Sequence, residues 1–592
     1  MLPSVPMSTA AAAAPALSPA PDRRRAFWSA LLVAVIAWSA HFLFFRRFGL
    51  YEDDFYVVAP QLAWTWRDAL AAMEGTVRTL TQGRPIGFLI ATVVPFACFQ
   101  LGGVRALPLA YLAASAIIVL NALLAHRLLT AAYGPSFALL GALAFTLYPA
   151  DTSQAFLTHA LVLQPSLTFV LLALLAYLRQ RRVLAYLLAT GCLLTYESGV
   201  LAFFAAPLVG ATWEPGIVRR WTRHVAVLLA IVAAVVALRV AMGEYRAANL
   251  EQSDQHIAWR QVPTRVLEAV WTGPQVSLGA FVTRPGWAMA VNLDSGLALG
   301  VAASFAAIFA VLGLPPGFAA GTAARPVLLR AGLTGLVMLV GGYAFEFSGW
   351  HFPPVYKAGR MSAVHAGAAL GAAILVASLL SIPWTRVRGR AARVGIGALT
   401  ALYLASLFAY GLVVQRSFVD AAQQEREYWS RIVALVPDLS GDTVVILVGS
   451  EPSRNRFILP SSWSDSWVFR FLYHDARGRS PFLVGGRFPL HRGAPNEGFD
   501  ESLVQARDGK LRWSAEVPGW MRVDRAQPLE SGRVVVLERR GFKWKRRGGS
   551  ITLQGIDIDL PPAPPGATIR LLPGPLHDLL LAPAEGSARA TR

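Results

Sequence analysis

The feature that most limits what this chain can fold into is a succession of apolar segments along its first two thirds, separated by arginines. They lie at 26–45, 85–101, 104–126, 136–150, 161–178, 183–196, 198–213, 224–242, 290–313, 331–348, 363–383 and 394–414. A bilayer core of ~30 Å needs about 20 apolar residues per helical crossing, and several of these runs reach that length. Inside lipid, helices satisfy their own backbone hydrogen bonds, so such runs read as helices. Charged residues are only 15% of the 592, against ~25% in ordinary soluble domains, and the mean hydropathy is +0.47. Disorder and a collagen-like fibre are excluded. The two cysteines, Cys98 and Cys192, both in apolar runs, give neither a disulfide framework nor a zinc spacing.

The arginines set the expected topology. Basic clusters stand at Arg23–Arg25, Arg179–Arg182, Arg219–Arg223 and Arg386–Arg393, and such clusters mark cytoplasmic loops. With twelve crossings and a cytoplasmic N-terminus, Arg179–Arg182 falls on the wrong side. Removing 85–101 restores the pattern. That run opens at Pro85, contains Pro95 and ends at Gln100 beside Gly102 and Gly103, so it reads as a juxtamembrane helix in the interface. Eleven crossings remain, with the C-terminus outside. The cytoplasmic segments then hold 16 Lys/Arg against 2 Asp/Glu. Thus the net charge of +19 is largely topological, and no basic soluble domain points to nucleic acid.

Residues 1–25 read as a disordered cytoplasmic tail, rich in Ala, Pro and Ser. The run at 26–45 has no small-residue cleavage site and is followed by Arg46 and Arg47, so it reads as a retained anchor. Residues 415–592 carry 25 Lys/Arg and 20 Asp/Glu, a balance typical of water-exposed protein. A helix near 418–436 and strand-like runs at 443–449, 533–538 and 550–555 predict a small extracytoplasmic α/β domain. The expected fold is therefore a polytopic α-helical membrane protein of about 11 transmembrane helices, 26–414, with that domain appended.

Few residues on the outer face can carry chemistry. Glu52, Asp53 and Asp54 are contiguous in YEDDFY just after the first crossing. Adjacent carboxylates at a membrane boundary repel and call for a cation, a metal or a substrate. The plain alternative is a solvated loop. Arg84, in QGRP, stands where the chain re-enters the interface; an ordinary snorkelling arginine would look the same. His159 follows Asp151 in YPADTSQAFLTHALVLQPS, where a satisfied structural histidine is the common case. Glu197 lies in LLTYESG between two short crossings, costly unless paired with an arginine or used. In GWHFPPVYKAGRMSAVH, residues 349–365, Tyr356, Lys357 and Arg360 crowd an outer loop. Two cations three residues apart suit an anionic headgroup or ester. A basic run, RRGFKWKRR at 539–547, fits a solvated face or anionic headgroups.

This ordered set resembles the GT-C superfamily of integral-membrane glycosyltransferases, in particular the protein O-mannosyltransferases and the lipid A aminoarabinose transferases. YEDDFY is similar to the acidic motif of the first outer loop, and GRPIGFL to the segment opening a juxtamembrane helix. YPADTSQAFLTHALVLQPS is similar to the outer turn after the third crossing. LLTYESGVL is similar to the Lys-Glu turn of the TPR-containing members, with Tyr196 in place of the lysine. The likeness covers about residues 1–210, with 349–365 a looser fifth element.

The resemblance implies an inverting transfer of a sugar from a polyprenyl-phosphate-linked donor to a glycan, lipid or protein acceptor on the outer face of a bacterial inner membrane. Asp53 or Asp54 would be the general base. Glu52, Arg84, His159, Glu197, Tyr356, Lys357 and Arg360 would bind substrate, with Lys357 and Arg360 on the lipid phosphate. Two adjacent acids at Asp53/Asp54 could also hold a divalent cation. The absence of a Gly-rich nucleotide loop fits a lipid-linked donor. Two other classes share these features: a transporter or flippase of anionic or lipid-linked substrates, which should show inverted repeats, and a polysaccharide polymerase or ligase.

Overall fold

The computed structural model describes residues 23–210, 212–213, 215–244, 259–290, 294–312, 324–346, 352–355, 358–387, 389–448, 462–484, 504–507, 510–513, 527–528, 533–540, 543–553, 556–560, 562, 566 and 568–581. Among these, seven helical stretches are long and apolar enough to cross a membrane: Arg23–Arg47, Pro85–Tyr133, Leu157–Leu178, Ile217–Ala241, Ser295–Leu312, Gly359–Thr385 and Arg390–Ala434. The chain is a polytopic helical membrane protein. Of the expected disordered tail at 1–25, residues 1–22 lie outside the described residues, and Arg23–Arg25 are instead the first turn of a helix.

The helices begin where local chemistry lets them. After α1 (Arg23–Phe42) and a short α2 (Asp54–Val57), α3 (Trp66–Arg78) starts on a capping box. The Thr65 N–H donates to Asp68 Oδ2 at 2.8 Å, and the Asp68 N–H donates back to Thr65 Oγ1 at 3.3 Å. Proline opens α4 (Pro85–Gly102), α5 (Leu107–Tyr133) and α6 (Pro135–Thr146) in the first turn, where its missing N–H costs nothing. Gly134 alone, at φ +95°, reverses the chain between α5 and α6.

Then follow α7 (Leu157–Leu178), α8 (Arg182–Leu193), a 3-10 segment Glu197–Leu208 and α9 (Ile217–Ala241). Three expected crossings, at 136–150, 183–196 and 198–213, are built on helical segments of only 12 residues. At 1.5–2.0 Å per residue each spans about 18–24 Å, less than a full hydrocarbon core.

The interval 243–289, between the expected crossings at 224–242 and 290–313, reads in the sequence as a long outer loop, and the structure corrects that reading. Residues Val262–Ala290 form one 29-residue helix, α10. Its prolines, Pro274 and Pro285, and its charges, Arg265, Glu268 and Arg284, mask its apolar character. Tyr403 Oη donates to the Phe281 carbonyl at 3.1 Å, and Trp287 packs on Tyr410 at 5.9 Å, so α10 lies along the long C-terminal helix. Beyond it come α11 (Ser295–Leu312), α12 (Arg325–Gly341), a 3-10 segment Gly359–Ala368 and α13 (Ala369–Ser381).

The last of these helices, α14 (Arg390–Ala434), is 45 residues long, or about 68 Å. The helix expected at 418–436 is its upper part. It leaves the apolar region and carries Tyr428 and Trp429 into the C-terminal region. There Trp429 packs on Phe469 at 6.1 Å and Tyr428 on Trp544 at 6.5 Å. A four-stranded sheet lies beside them in the order β2 (Phe482–Val484), β1 (Val444–Val448), β3 (Val534–Arg540), β4 (Lys543–Arg546). β1 pairs in parallel with both neighbours, Val444 opposite Phe482 and Val534. Its unbroken VVILV sequence suits a strand covered on both faces. The expected strands at 443–449 and 533–538 are β1 and β3, and that at 550–555 overlaps a strand at Gly549–Leu553.

Aromatic packing fixes the loop that follows α1. Phe48, Tyr51, Phe156 and Phe418 contact one another with ring centroids 5.1–6.1 Å apart. Tyr51 Oη donates to the Phe418 carbonyl at 2.8 Å and accepts from the Gly49 N–H at 2.9 Å. Residues 49–54 are thereby held between α14 and the N-terminal end of α7.

Candidate functional site

The two adjacent aspartates take different roles because α2 turns one inward. Asp54 is fully buried. Its Oδ1 accepts from the Thr158 N–H and Oγ1, each at 2.8 Å; its Oδ2 accepts from the Leu157 N–H at 3.2 Å and the Tyr51 N–H at 3.3 Å. The Leu157 and Thr158 groups open α7, so Asp54 caps that helix and complements its positive end. Burial pushes its carboxyl up to about 7, against those four donors, which favour the anion.

Asp53 points the other way. Its carboxylate is a quarter exposed and pairs with Arg360, whose Nε also lies 3.3 Å from Glu52 Oε2. Glu52 reaches this position on a left-handed backbone, φ +43°, unusual for a residue with a Cβ. One guanidinium thus joins the loop after α1 to the segment Gly359–Ala368. A second hydrogen-bonded knot holds that junction. The Gly359 N–H donates to Thr152 Oγ1 at 2.8 Å, the Thr152 N–H to Ser362 Oγ at 2.8 Å, and Asp151 turns back on Ser153. Burial raises the Asp151 carboxyl to about 6.

Arg84 and Glu197, 113 residues apart, form a two-pronged ion pair. Arg84 Nε and Nη2 donate to Glu197 Oε2 and Oε1, each at 2.8 Å, and the guanidinium lies 3.8 Å from the Tyr196 ring centroid. Arginine rather than lysine fits this combination of fork and flat face. Gly87 makes the approach possible. A Cβ there would stand 2.6 Å from Val162 Cγ1 and 2.7 Å from the Thr195 carbonyl, and the Ile86 N–H donates to the Leu194 carbonyl at 3.1 Å. The backbone before Arg84 is left-handed at Leu80, Gln82 and Gly83. Arg239 packs against Gly83 and pairs with the buried Glu244 at 2.9 Å.

His159, in the first turn of α7, lies in the field of both Arg84 and Arg360. Its Nδ1 is buried with no hydrogen-bond partner among the described residues, and its ring rests on Phe156 at 5.6 Å. The structure therefore brings Glu52, Asp53, Arg360, His159, Arg84 and Glu197 to one end of the bundle. Tyr356 and Lys357 lie outside the described residues. Asp54 is close in sequence but has no open face. Among the described residues no group of three or more His, Cys, Asp or Glu side chains could hold a metal ion. The carboxylates of Asp53 and Asp54 are turned to an arginine and to a helix end.

Sequence reasoning missed Glu346. It accepts from Ser198 Oγ at 2.7 Å and lies in the field of Glu197 and Arg84. The signal was present: a lone acid in the apolar run YAFEF. Arg239 and Glu244 were missed likewise, at the end of α9.

In comparisons with protein-family models, with curated proteins and with solved structures, nothing matches this chain.

Proposed function

We propose that this protein is an integral-membrane glycosyltransferase that moves a sugar from a polyprenyl-phosphate-linked donor to an acceptor hydroxyl, with inversion. The observation that carries the reading is the division of labour within EDD. One carboxylate is buried as a helix cap, while its neighbour stays a quarter exposed against an arginine. An accessible carboxylate of this kind can take a proton in the transition state. Asp53 removes the proton from the acceptor hydroxyl, whose oxygen forms a bond to the anomeric carbon from the face opposite the phosphate. The bond from that carbon to the phosphate oxygen breaks, and polyprenyl phosphate departs with the electron pair. Arg360 and Arg84 stabilise the charge that develops on it, with Lys357 as a third candidate cation and His159 offering a hydrogen bond between them.

The finer topology belongs to the same reading: eleven crossings, a cytoplasmic N-terminus, the site and residues 415–592 outside, in a bacterial inner membrane. Three contacts support it. α4 runs beside the first outer loop along its length, with Gln61 Nε2 donating to the Ala91 carbonyl at 2.9 Å and Trp66 edge-on to Phe96 at 4.8 Å. Tyr56, three residues after Asp53, packs edge-on against Trp467 of the C-terminal region at 5.2 Å.

The test is mass analysis of envelope glycans, glycolipids and glycoproteins in the native host lacking this gene, complemented with wild type or Asp53→Asn. A hexose- or pentose-sized mass lost on deletion, restored by wild type and not by the variant, is expected. An unchanged envelope, or full rescue by Asp53→Asn, overturns the assignment.

A further inference from the structure

The far end of α9 is built in a way that helix termination alone does not explain. Met242 caps the helix, and Gly243 turns left-handed at φ +66°. The Gly243 N–H donates to the Val240 carbonyl at 3.0 Å, and the Glu244 N–H to the Arg239 carbonyl at 2.9 Å. In such a glycine-ended turn the side chains at the positions of Arg239 and Glu244 meet, and an apolar contact is usual. Here the contact is an ion pair. Arg239 Nη2 and Nε donate to Glu244 Oε2 at 2.9 and 3.2 Å, with the two side chains 16% and 2% exposed. Burying two charges is costly, and α9 has little packing to protect: His224, Leu228 and Val235 are the buried ones among its 25 residues. The guanidinium lies instead across the turn that leads into Arg84. A Cβ on Gly83 would collide with Arg239 Cζ and Nε, and Arg239 Nη2 donates to the Gln82 carbonyl at 3.4 Å. Leu80, Gln82 and Gly83 are all left-handed, at φ +44°, +52° and +71°. Residues with a Cβ keep such a path only where their surroundings hold them in it. The Arg84 N–H donates to the Thr81 carbonyl at 2.9 Å, so that path fixes where Arg84 begins.

We propose that Arg239 is a positioning residue for Arg84. Held by Glu244, its guanidinium clamps the left-handed turn, and the turn delivers Arg84 in the orientation that meets Glu197 with two prongs and Tyr196 face-on. Arg239 also lies in the field of Glu197, so it adds positive charge beside that pair without occupying it. The clamp accounts for the glycine at 83, where any side chain would displace the guanidinium. It also accounts for the sequence at the end of α9, an arginine followed by glycine and glutamate four and five positions on. The turn Gly243 makes is what folds Glu244 back onto Arg239. That Arg84 then faces a departing lipid phosphate rests on the transferase reading; that Arg239 positions Arg84 does not.

The test reads the Arg84 stack directly. The full chain carries 3-fluorotyrosine at position 196, and its fluorine resonance is recorded in nanodiscs. A cation lying over the ring face shifts that resonance, so Arg84→Gln sets the displaced position. Arg239→Gln is expected to move the resonance part of the way there, with Arg84 still present. Arg239→Lys keeps a charge for Glu244 but not the flat group across Gly83, so it should restore melting and leave the resonance displaced. Glu244→Gln releases the guanidinium without removing it and should act as Arg239→Gln does, which keeps the proposal testable if that variant is not recovered folded. An unmoved resonance in the folded Arg239 and Glu244 variants overturns the proposal: the pair then only ends α9. An unmoved resonance in Arg84→Gln overturns it too, because the stack it acts on is then not formed. So does an equal displacement by Arg416→Gln, whose exposed pair with Asp294 lies elsewhere, since the signal would then report general loosening. Envelope glycans of the host carrying each variant separate this inference from the transferase reading. Product lost with Arg84→Gln but kept with Arg239→Gln overturns the positioning role alone. A displaced resonance with product kept in both variants retains that role and overturns the part given to Arg84 in the transfer.

Discussion

Asp53 and Asp54 are adjacent, yet the chain uses them oppositely, and this difference is measurable. Asp54→Asn sets an amide N–H₂ against N–H donors at the start of α7. It should cost on the order of 1–3 kcal/mol, read as a lower melting temperature in detergent. Asp53→Asn should lower melting by less than that, because Arg360 keeps Glu52 as a partner, but, under the transferase reading, should reduce turnover by ~10²–10⁴. The pH dependence separates them further. An ordinary Asp carboxyl titrates near 3.8, and folded Asp54 at about 7. Between those values only the folded state binds the proton, so Asp54's contribution to stability falls as pH rises from about 4 to about 7 and is level above. Asp54→Asn should flatten that part of the melting profile, leaving the smaller slope from Asp151. A second residue-scale prediction concerns Arg84. Arg84→Gln leaves Glu197 without its fork and should cost on the order of 1–3 kcal/mol, because a pair 15% and 29% exposed is partly screened by water. Arg84→Lys, which keeps the charge but loses the fork and the Tyr196 stack, should recover only part of that loss. Equal melting of the Lys and Gln variants would show that geometry adds nothing beyond charge.

At the scale of elements, hydropathy shows where helices are but not which of them touch. The acid triplet was legible as a cluster. That one member caps a helix 103 residues later was not, because capping partners leave no local mark on the chain. Arg84 and Glu197 each stood out as a charge in apolar surroundings, and their pairing depends on Gly87 letting α4 approach Thr195. α10 was read as a loop because its prolines and charges break the apolar run; contact with α14 compensates for them. Glycine spacing decides another contact. In the α12–α13 pair, a Cβ on Gly335 would stand 2.8 Å from both the Gly371 carbonyl and the Leu375 nitrogen, and one on Gly371 would collide with the Leu339 nitrogen. Small residues of this kind let backbones meet in lipid. Gly371→Ala should therefore destabilise by about 1–3 kcal/mol. Gly332→Ala, where the nearest atoms are 3.8 Å away, should be neutral or slightly stabilising, given alanine's helix preference of ~1 kcal/mol. Comparable melting of the two variants would remove close backbone packing as the basis of that contact.

For the whole molecule, the question is which ends of the bundle share a side of the membrane. The parity of basic clusters required α4 not to cross, and two independent contacts bear on the same point. Asp53's loop packs through Tyr56 on Trp467, far along the chain, and α14 carries Tyr51's hydrogen-bond partner Phe418 before entering the C-terminal region. These contacts tie the loop after α1 to residues 415–592, while α5 to α8 return the chain through Arg179–Arg182. If α4 stays in the interface, Arg105 just beyond it lies on the same side as Ser430 near the top of α14, and Arg181 on the opposite side. All three are exposed, so single cysteines there, in a chain lacking Cys98 and Cys192, are open to a membrane-impermeant maleimide. In intact spheroplasts Arg105→Cys and Ser430→Cys should label, and Arg181→Cys should label only after permeabilisation. Labelling of Ser430→Cys but not Arg105→Cys would make α4 a crossing. It would also reverse the sidedness of every helix from α5 to α9 relative to the C-terminal region. Because Arg84 opens α4 and Glu197 follows α8, that outcome would require their ion pair to join opposite faces of the bilayer. A 2.8 Å contact forbids this, so a labelling pattern of that kind would count against the site's geometry as well as its topology.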